Sequence, residues 1–365
     1  MKTCLIYNFP QHYRQEIFYL MDQKLNIDFY FGNFMGDVKM FDISLLKNAQ
    51  LVDNIYITNK IYYQKNIVKL IFKSYKNYIL LGDYYCLSNW VFLIINKFLF
   101  KKNIFMWTHG WYGNETYIKK IIKKVFFGMS NVILLYGNYA KDLMIKEGFS
   151  KNKLHVIYNS HNYNKINKIK NKLKQNNIVN EFFKNNNKNI FFIGRLTKVK
   201  KLHLLINSIY QLKQKGVNLN LLIIGDGEEK NSLMRLSKSM SLDKNIWFYG
   251  DSYDESEIGN LIQNCHLCVS PGNVGLTSIH SMSFGKPVIT NDDYKNQMPE
   301  FEIIVEGKTG YFFKSDSITS MSSKIEKLLL SEKKVNYEKN CLRKIEEFYN
   351  PNFQINTILS ILHEK

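Results

Sequence analysis

The chemistry-bearing residues of this chain gather where an apolar run stops and glycine or a cation follows. In "FFIGRLTKVKK", Gly194, Arg195 and Lys200 come directly after such a run. An arginine fork pairs with phosphate oxygens, and a lysine near a helix start adds a point charge. The chain has arginine only at positions 14, 195, 235 and 343, so arginine at 195 is a selective choice in a lysine-dominated sequence. "IIGDGEE" (223–229) holds Gly225 at a second run end, and "FYGDS" (248–252) holds Gly250 and Asp251 at a third. The fourth, "SPGNVGLTSIHSMSFGKPVI" (270–289), is a glycine-punctuated turn of Gly272, Asn273, Val274 and Gly275. It runs into a helix from about 275 to 284 that holds Leu276, Thr277 and His280. Four such turns along one edge suit a phosphate-bearing ligand.

These turns need a scaffold that brings them to one edge, and the hydropathy pattern supplies it. Short apolar runs at 3–8, 27–31, 51–57, 78–82, 104–108, 132–136 and 154–158 alternate with helical patterns, as in a parallel sheet wrapped by helices. A second series places strands at 189–196, 219–227, 245–249, 266–270 and 287–290. The expected fold class is α/β, with two Rossmann-like doubly wound domains facing a central cleft. The expected domains are 1–160, a polar linker 161–188, a ligand-binding domain 189–348, and a C-terminal helix in 349–365 with the option of packing back on the first domain. In open α/β sheets ligands bind outside the carboxyl ends of the strands, where all four turns fall.

Bulk properties narrow the function. An apolar fraction of 45% excludes global disorder, and 365 residues suit two cores. The formal charge of +19 asks for an anionic partner, though biased coding accounts for part of the lysine excess. Between Lys60 and Lys124 twelve lysines face only Asp83 and Glu115. There "YIKKIIKKVFFG" (117–128) sets Ile118, Ile121, Ile122, Val125 and Phe126 on one helical face with lysines around it, suited to an anionic bilayer surface or to a core-facing helix with a solvated lysine edge. No aromatic–basic recognition motif supports nucleic-acid binding. The run 91–100 is broken by Lys97 and falls short of a membrane span. Five scattered cysteines fit a reducing cytoplasm, and Cys265 and Cys268 read as buried thiols. Without a signal segment, the expected location is cytoplasmic and peripheral on the inner face of the cytoplasmic membrane.

The motifs "GRLTKVKK", "LLIIGDGEE", "WFYG", "SPGNVGLTSIHSMSFGKPVI" and "EIIVEGKTGYFF" resemble, in order and spacing, those of family-4 retaining glycosyltransferases of the GT-B fold. The likeness covers most of 187–315 and is looser in the first domain, where "NFPQHYR", "WTHGWYG" and "LHVIYNS" carry it. It implies that Arg195 and Lys200 bind the donor diphosphate, that 249–252 lies near the base, and that His109 faces the transferred sugar. His109, Arg195 and Lys200 are therefore the expected catalytic residues. The donor set adds Gly194, Gly225, Gly250, Asp251, Gly272, Asn273, Val274, Gly275, Leu276, Thr277 and His280. The family usually shows Glu-x7-Glu where this chain has Gly272 and His280, so the grip on sugar and ribose is expected to differ. Gly272 is expected to open space, and the His280 imidazole to accept a bond from a ribose hydroxyl.

Retaining transfer in the family proceeds by front-face attack assisted by the leaving diphosphate, which requires preorganised positive charge. No Asp-x-Asp occurs, so neither metal nor other cofactor is expected beyond the nucleoside-diphosphate-sugar co-substrate. Asp292 or Glu300, in the polar stretch after 290, is a candidate to replace the missing carboxylate. Asn8, His12 and Arg14 stand on the expected acceptor side, Arg14 as a holder of acceptor phosphate. Trp111 and Tyr112 are candidates to stack on sugar, against ordinary core packing. The expected activity is transfer of a sugar to a lipid-linked glycan in surface-polysaccharide or O-antigen-type synthesis. The competing readings are a nucleotide-sugar epimerase or hydrolase of the same fold, and a non-catalytic nucleotide-sugar-binding protein.

Overall fold

The computed structural model describes residues 2–36, 38–330 and 335–364. The chain forms two compact units, Met1–Asn162 with Asn350–Lys365, and Tyr163–Tyr349.

Unit 1 begins with β1 (Thr3–Tyr7), α1 (Gln15–Lys24), β2 (Ile27–Gly32) and β3 (Ala49–Val52). The run expected as one strand at 51–57 is split: β3 ends at Val52, and β4 (Asn54–Tyr56) forms an antiparallel ribbon with β5 (Tyr62–Gln64). There follow β6 (Asn77–Leu81), α2 (Leu87–Ile95), β7 (Asn103–Thr108), α3 (Tyr117–Gly128), β8 (Val132–Leu135), α4 (Asn138–Lys146) and β9 (Leu154–Val156). A π-helical turn, Asn96–Phe100, continues α2. The sheet is parallel in the order β3-β2-β1-β6-β7-β8-β9. Every residue of β1 and β8 is buried, as expected for strands covered on both faces.

Unit 2 opens with α5 (Tyr163–Lys170) and α6 (Ile178–Phe183). The stretch read as a linker, 161–188, is thus folded into unit 2 from Tyr163 onward. Ile166, Val179 and Phe183 are buried, and the Asn176 side chain exchanges hydrogen bonds with Asn260 and Asn264. These sparse apolar anchors lie in a polar sequence that reads as solvated. Next come β10 (Lys188–Ile193), α7 (Leu202–Gln214), β11 (Leu219–Ile224), α8 (Lys230–Ser239), β12 (Ile246–Gly250), α9 (Glu255–Ile262) and β13 (Leu267–Ser270). Then follow α10 (Leu276–Ser283), β14 (Val288–Asn291), β15 (Gly310–Phe313), α11 (Ile318–Leu330) and α12 (Tyr337–Glu347). The order β12-β11-β10-β13-β14-β15 reverses between β10 and β13. That reversal is the switch point of a doubly wound sheet, outside which ligands bind. The chain closes with α13 (Pro351–His363), whose Pro351 occupies the first turn after an Asn350 cap. Its Ile355, Ile358, Ile361 and Leu362 enter the unit 1 core beside Phe18 and Met21 of α1.

α3 differs from its expected form. Phe126 is buried and meets Trp90 at 5.0 Å, while Ile118, Ile121, Ile122 and Val125 are exposed. Lys123, expected on a solvated edge, is 2% exposed and pairs with Glu115 at 2.6 Å. A helix carrying two phenylalanines in sequence presents apolar surface on both sides, and only one side reaches the sheet.

Candidate functional site

The two strand ends that flank the unit 2 switch point carry the expected phosphate ligands. After β10 the chain turns at Gly194, whose amide donates to Ile224 O at 3.0 Å, and Gly225 donates to Gly250 O at 2.7 Å. The ends of β10, β11 and β12 are therefore laced by backbone before any side chain acts. Arg195 is exposed and, among the described residues, its side chain makes no hydrogen bond or ion pair. Lys200 reaches across to the turn after β13, donating to Asn273 O at 2.7 Å. Burial pushes its ammonium pKa down to about 8; Glu300 opposes the shift and Arg195 adds to it. An anion bound beside Lys200 would relieve this depression.

The turn after β13 is held by side chains that sequence reasoning missed. Gln297, 2% exposed, accepts from Val274 N at 2.8 Å and donates to Asn291 O at 3.1 Å. Asn291 donates to Pro271 O at 2.8 Å and Gly272 O at 2.9 Å. Amides in the polar stretch after β14 signal such backbone locking only once the turn is known to lie beside them. Gly275 has φ 52°, and the α10 N-terminus has no side-chain cap, so the Gly275 and Leu276 amides stand without partners among the described residues. Thr277 is drawn inward to donate to Ile193 O at 2.8 Å.

Gly272 does not open space. A Cβ there would lie 1.9 Å from Val199 O and 2.7 Å from Lys200 Cα, and its amide donates to Lys200 O at 2.9 Å. The volume a side chain would need is filled by backbone. His280 meets Glu255 Oε2 at 2.7 Å through Nε2 and is 8% exposed. Nε2 therefore donates to this carboxylate, and the ring is tied to Glu255, which is 6% exposed at the start of α9. Asp292 is exposed and accepts from Ser315 N at 2.8 Å, joining the ends of β14 and β15. Glu300 is 2% exposed and faces Lys200 electrostatically. Asp251 stands exposed just beyond Gly250, where Tyr249 and Ser252 both donate to Glu257.

In unit 1 His109 follows β7, with its ring 4.9 Å from that of Tyr136 and 6.1 Å from that of Tyr112. Burial, with Arg14 and Lys123 adding, brings its pKa down to about 4, so the imidazole is neutral near pH 7. The loop after it hangs on one buried ion pair: Glu115 accepts from Tyr112 N and Gly113 N at 2.9 Å each, and Lys123 donates to Gly110 O at 2.6 Å. Burial would raise the Glu115 pKa, but the Lys123 ammonium and these amides outweigh it and hold it below the usual value. Trp111 is 2% exposed, packed on Phe149 and beneath Lys123, so it is a core side chain with no face for a sugar. Arg14 is also buried, within 6 Å of the rings of Tyr7, Tyr13, Trp107 and Tyr136. Asn8 accepts from Asn54 Nδ2 at 2.8 Å through its carbonyl, and His12 Nδ1 lies 3.3 Å from Lys39 O, so both secure the loop after β1.

Residues 174–344, nearly all of unit 2, match the family model "Glycosyl transferases group 1". Unit 2 is thus similar over nearly all of its length to glycosyl transferases group 1. The chain is 29% identical over 147 residues to a capsular polysaccharide biosynthesis glycosyltransferase, CapM, of Staphylococcus aureus, covering 39% of this chain and 37% of that protein. It is 29% identical over 187 residues to an uncharacterized glycosyltransferase, MJ1059, of Methanocaldococcus jannaschii, covering 50% and 45%. The chain thus spans less than half the length of the curated relatives it matches. Its fold is similar over its whole length to the lipopolysaccharide outer core galactosyltransferase WaaB (TM-score 0.73, 17% identity, all of both chains). It is equally similar to Anabaena HepE in complex with UDP (TM-score 0.73, 14% identity, all of both chains). The fold is accordingly the GT-B type, built from two Rossmann-like α/β units with parallel sheets.

Within unit 2, Arg195, Lys200 and the turn 271–276 stand together at the switch point. All five cysteines are buried and free, and burial pushes the Cys265 and Cys268 thiols up to about 12. Among the described residues no group of three or more His, Cys, Asp or Glu side chains is placed to hold a metal ion.

Proposed function

We propose that this protein transfers a sugar from a nucleoside diphosphate to a glycan acceptor in surface-polysaccharide synthesis, with retention at the anomeric carbon. The observation that carries the reading is the cationic switch point: exposed Arg195, Lys200 set on the 273 carbonyl, and amides at the α10 N-terminus that have no partner among the described residues. Such an arrangement binds a diphosphate and stabilises the charge that develops as it leaves. Arg195 and Lys200 hold the leaving group. Its oxygen takes the acceptor hydroxyl proton, and neutral His109 offers hydrogen bonding without competing positive charge. Glu255, oriented by His280, takes the ribose hydroxyls that the family's helix glutamate would hold. The acceptor is a lipid-linked glycan, and the enzyme works peripherally at the cytoplasmic face of an anionic bilayer. HepE is a neighbour bound to UDP, and CapM is a relative of capsular polysaccharide synthesis; both support a nucleotide-sugar donor and a polysaccharide product.

A thermal-shift panel of UDP-, GDP-, dTDP- and CMP-sugars tests the reading. One donor class is expected to raise Tm selectively, and Arg195→Ala to weaken its binding by about ten- to a hundredfold, as for a lost charge-assisted bond of 1.5–3 kcal/mol. No shift with any donor at millimolar concentration overturns it.

A further inference from the structure

Unit 1 exposes apolar surface on two neighbouring helices. Ile118, Ile121 and Val125 of α3 are 70%, 46% and 54% exposed. On α2 and its π-helical extension, Leu87, Val91, Ile94 and Phe98 recur at spacings of four, three and four, which puts them on one helical face. They are 40%, 44%, 45% and 72% exposed. The helices lie side by side, because β6, β7 and β8 are consecutive in the parallel sheet and Trp90 of α2 packs on Phe126 of α3. Inner faces of both are satisfied: Phe92, Leu93, Phe126 and Phe127 are in one core cluster. The outward stripes are therefore surplus to folding, and a contiguous patch of this kind marks an interaction surface.

Charge decides what covers it. Lys97 and Lys101 flank Phe98 and are exposed, and Lys119 and Lys120 alternate with the isoleucines of α3. Asp83 and Glu115, the acids of the 60–124 stretch, are turned away: Asp83 accepts from Tyr62, and Glu115 is consumed by Lys123. Glu147 engages Lys120 and Lys124, so the net charge of the patch stays positive without it being uniform. A second protein copy would set lysine against lysine, whereas an anionic bilayer accepts both apolar stripes and neutralises the cations. No helix among the described residues is long and apolar enough to cross a membrane, which leaves an in-plane seat.

We propose that the α2–α3 face, with the π-helical turn 96–100 at its rim, is a docking surface for an anionic lipid bilayer. The inference deepens the peripheral-membrane part of the proposed function and adds α2, which carries half of the apolar face. It stands apart from the donor site, so the two are tested separately on the same full-length protein.

The test is flotation with vesicles of phosphatidylcholine alone and of phosphatidylcholine with phosphatidylglycerol. Binding is expected to the anionic vesicles and to weaken as salt shrinks the screening length from about 10 Å to about 3 Å. Ile118→Asp and Phe98→Asp are each expected to lower partitioning about tenfold or more, and Lys97→Gln about fivefold. Tm without vesicles and any donor-induced Tm shift are expected to be unchanged in these variants, which separates lost docking from lost folding. Equal binding by wild type and both Asp variants overturns the proposal. So does absence of binding to anionic vesicles at low salt, or a wild-type dimer that Ile118→Asp dissociates without any vesicle binding.

Discussion

Lys200 carries the sharpest residue-scale consequence. Its ammonium is partly desolvated against the 273 carbonyl and beside Arg195, which places its pKa at about 8 in the unliganded protein. At pH 7 the charged form dominates and presents the cation a diphosphate needs; above pH 8 the neutral amine dominates and the attraction is lost. Donor kcat/KM, which reports the free enzyme, is expected to fall on an alkaline limb near pH 8. Lys200→Met should flatten that limb at a level about ten- to a hundredfold lower, since a charge-assisted bond is gone at every pH. A limb that survives the substitution assigns the titration elsewhere. His109, at about 4, contributes no transition between pH 6 and 9. Gly272 gives a second residue-scale outcome. Restoring the family's glutamate there, Gly272→Glu, sets a Cβ 1.9 Å from Val199 O, and backbone rather than a yielding side chain would have to move. The variant is expected to lose donor binding and some 1–3 kcal/mol of stability through overpacking, read by donor-induced and unliganded Tm together. A Gly272→Glu protein that binds donor more tightly would show that the 199–200 turn yields freely.

At the scale of elements, the loop after β7 rests on α3 through a single buried charge pair. Lys123 touches Glu115, the Gly110 carbonyl and the Trp111 ring, and Glu115 in turn collects the amides of Tyr112 and Gly113. Lys123→Met keeps the stem's packing but leaves Glu115 buried and unpaired, so a loss of about 3–5 kcal/mol is expected in urea unfolding. The double variant Lys123→Met with Glu115→Gln should recover much of it, a pattern that mere loss of packing would not produce. This pair also marks where reading the sequence stops. The strands were legible because buried runs such as "TCLIY" and "LNLLII" have no other use, and the turn at 270–276 because glycine, proline and asparagine punctuate it. β15 was not: four residues at a sheet edge after "EGKTG" carry too little pattern. Lys123 looked solvated because its partner lies eight residues back in a loop, and Glu255 and Gln297 were silent because their partners are 25 and 23 positions away. Long-range pairing of polar groups has no period to read.

At the scale of the whole molecule, chain order and structural membership diverge at the end. α13 follows unit 2 in sequence but belongs to unit 1, where Ile355, Ile358, Ile361 and Leu362 are nearly or fully buried. Ser160 Oγ donates to Gln354 Oε1 at 2.9 Å, and Gln354 Nε2 donates to Tyr158 O at 2.7 Å, so the helix also closes the polar end of that core. Four aliphatic side chains at roughly 1.5–3 kcal/mol each amount to about as much as a domain's whole stability. Ending the chain after Tyr349 is therefore expected to unfold unit 1, some two hundred residues upstream, while the 163–349 unit keeps its own core around Ile190, Leu221 and Val269. Limited proteolysis should then degrade 1–162 and spare 163–349, and the spared fragment should still show the donor-induced Tm shift of the parent. Transfer activity is expected to vanish with the loss of unit 1. A truncated chain with both units protease-resistant would mean that α13 merely covers a core that the first 162 residues complete on their own.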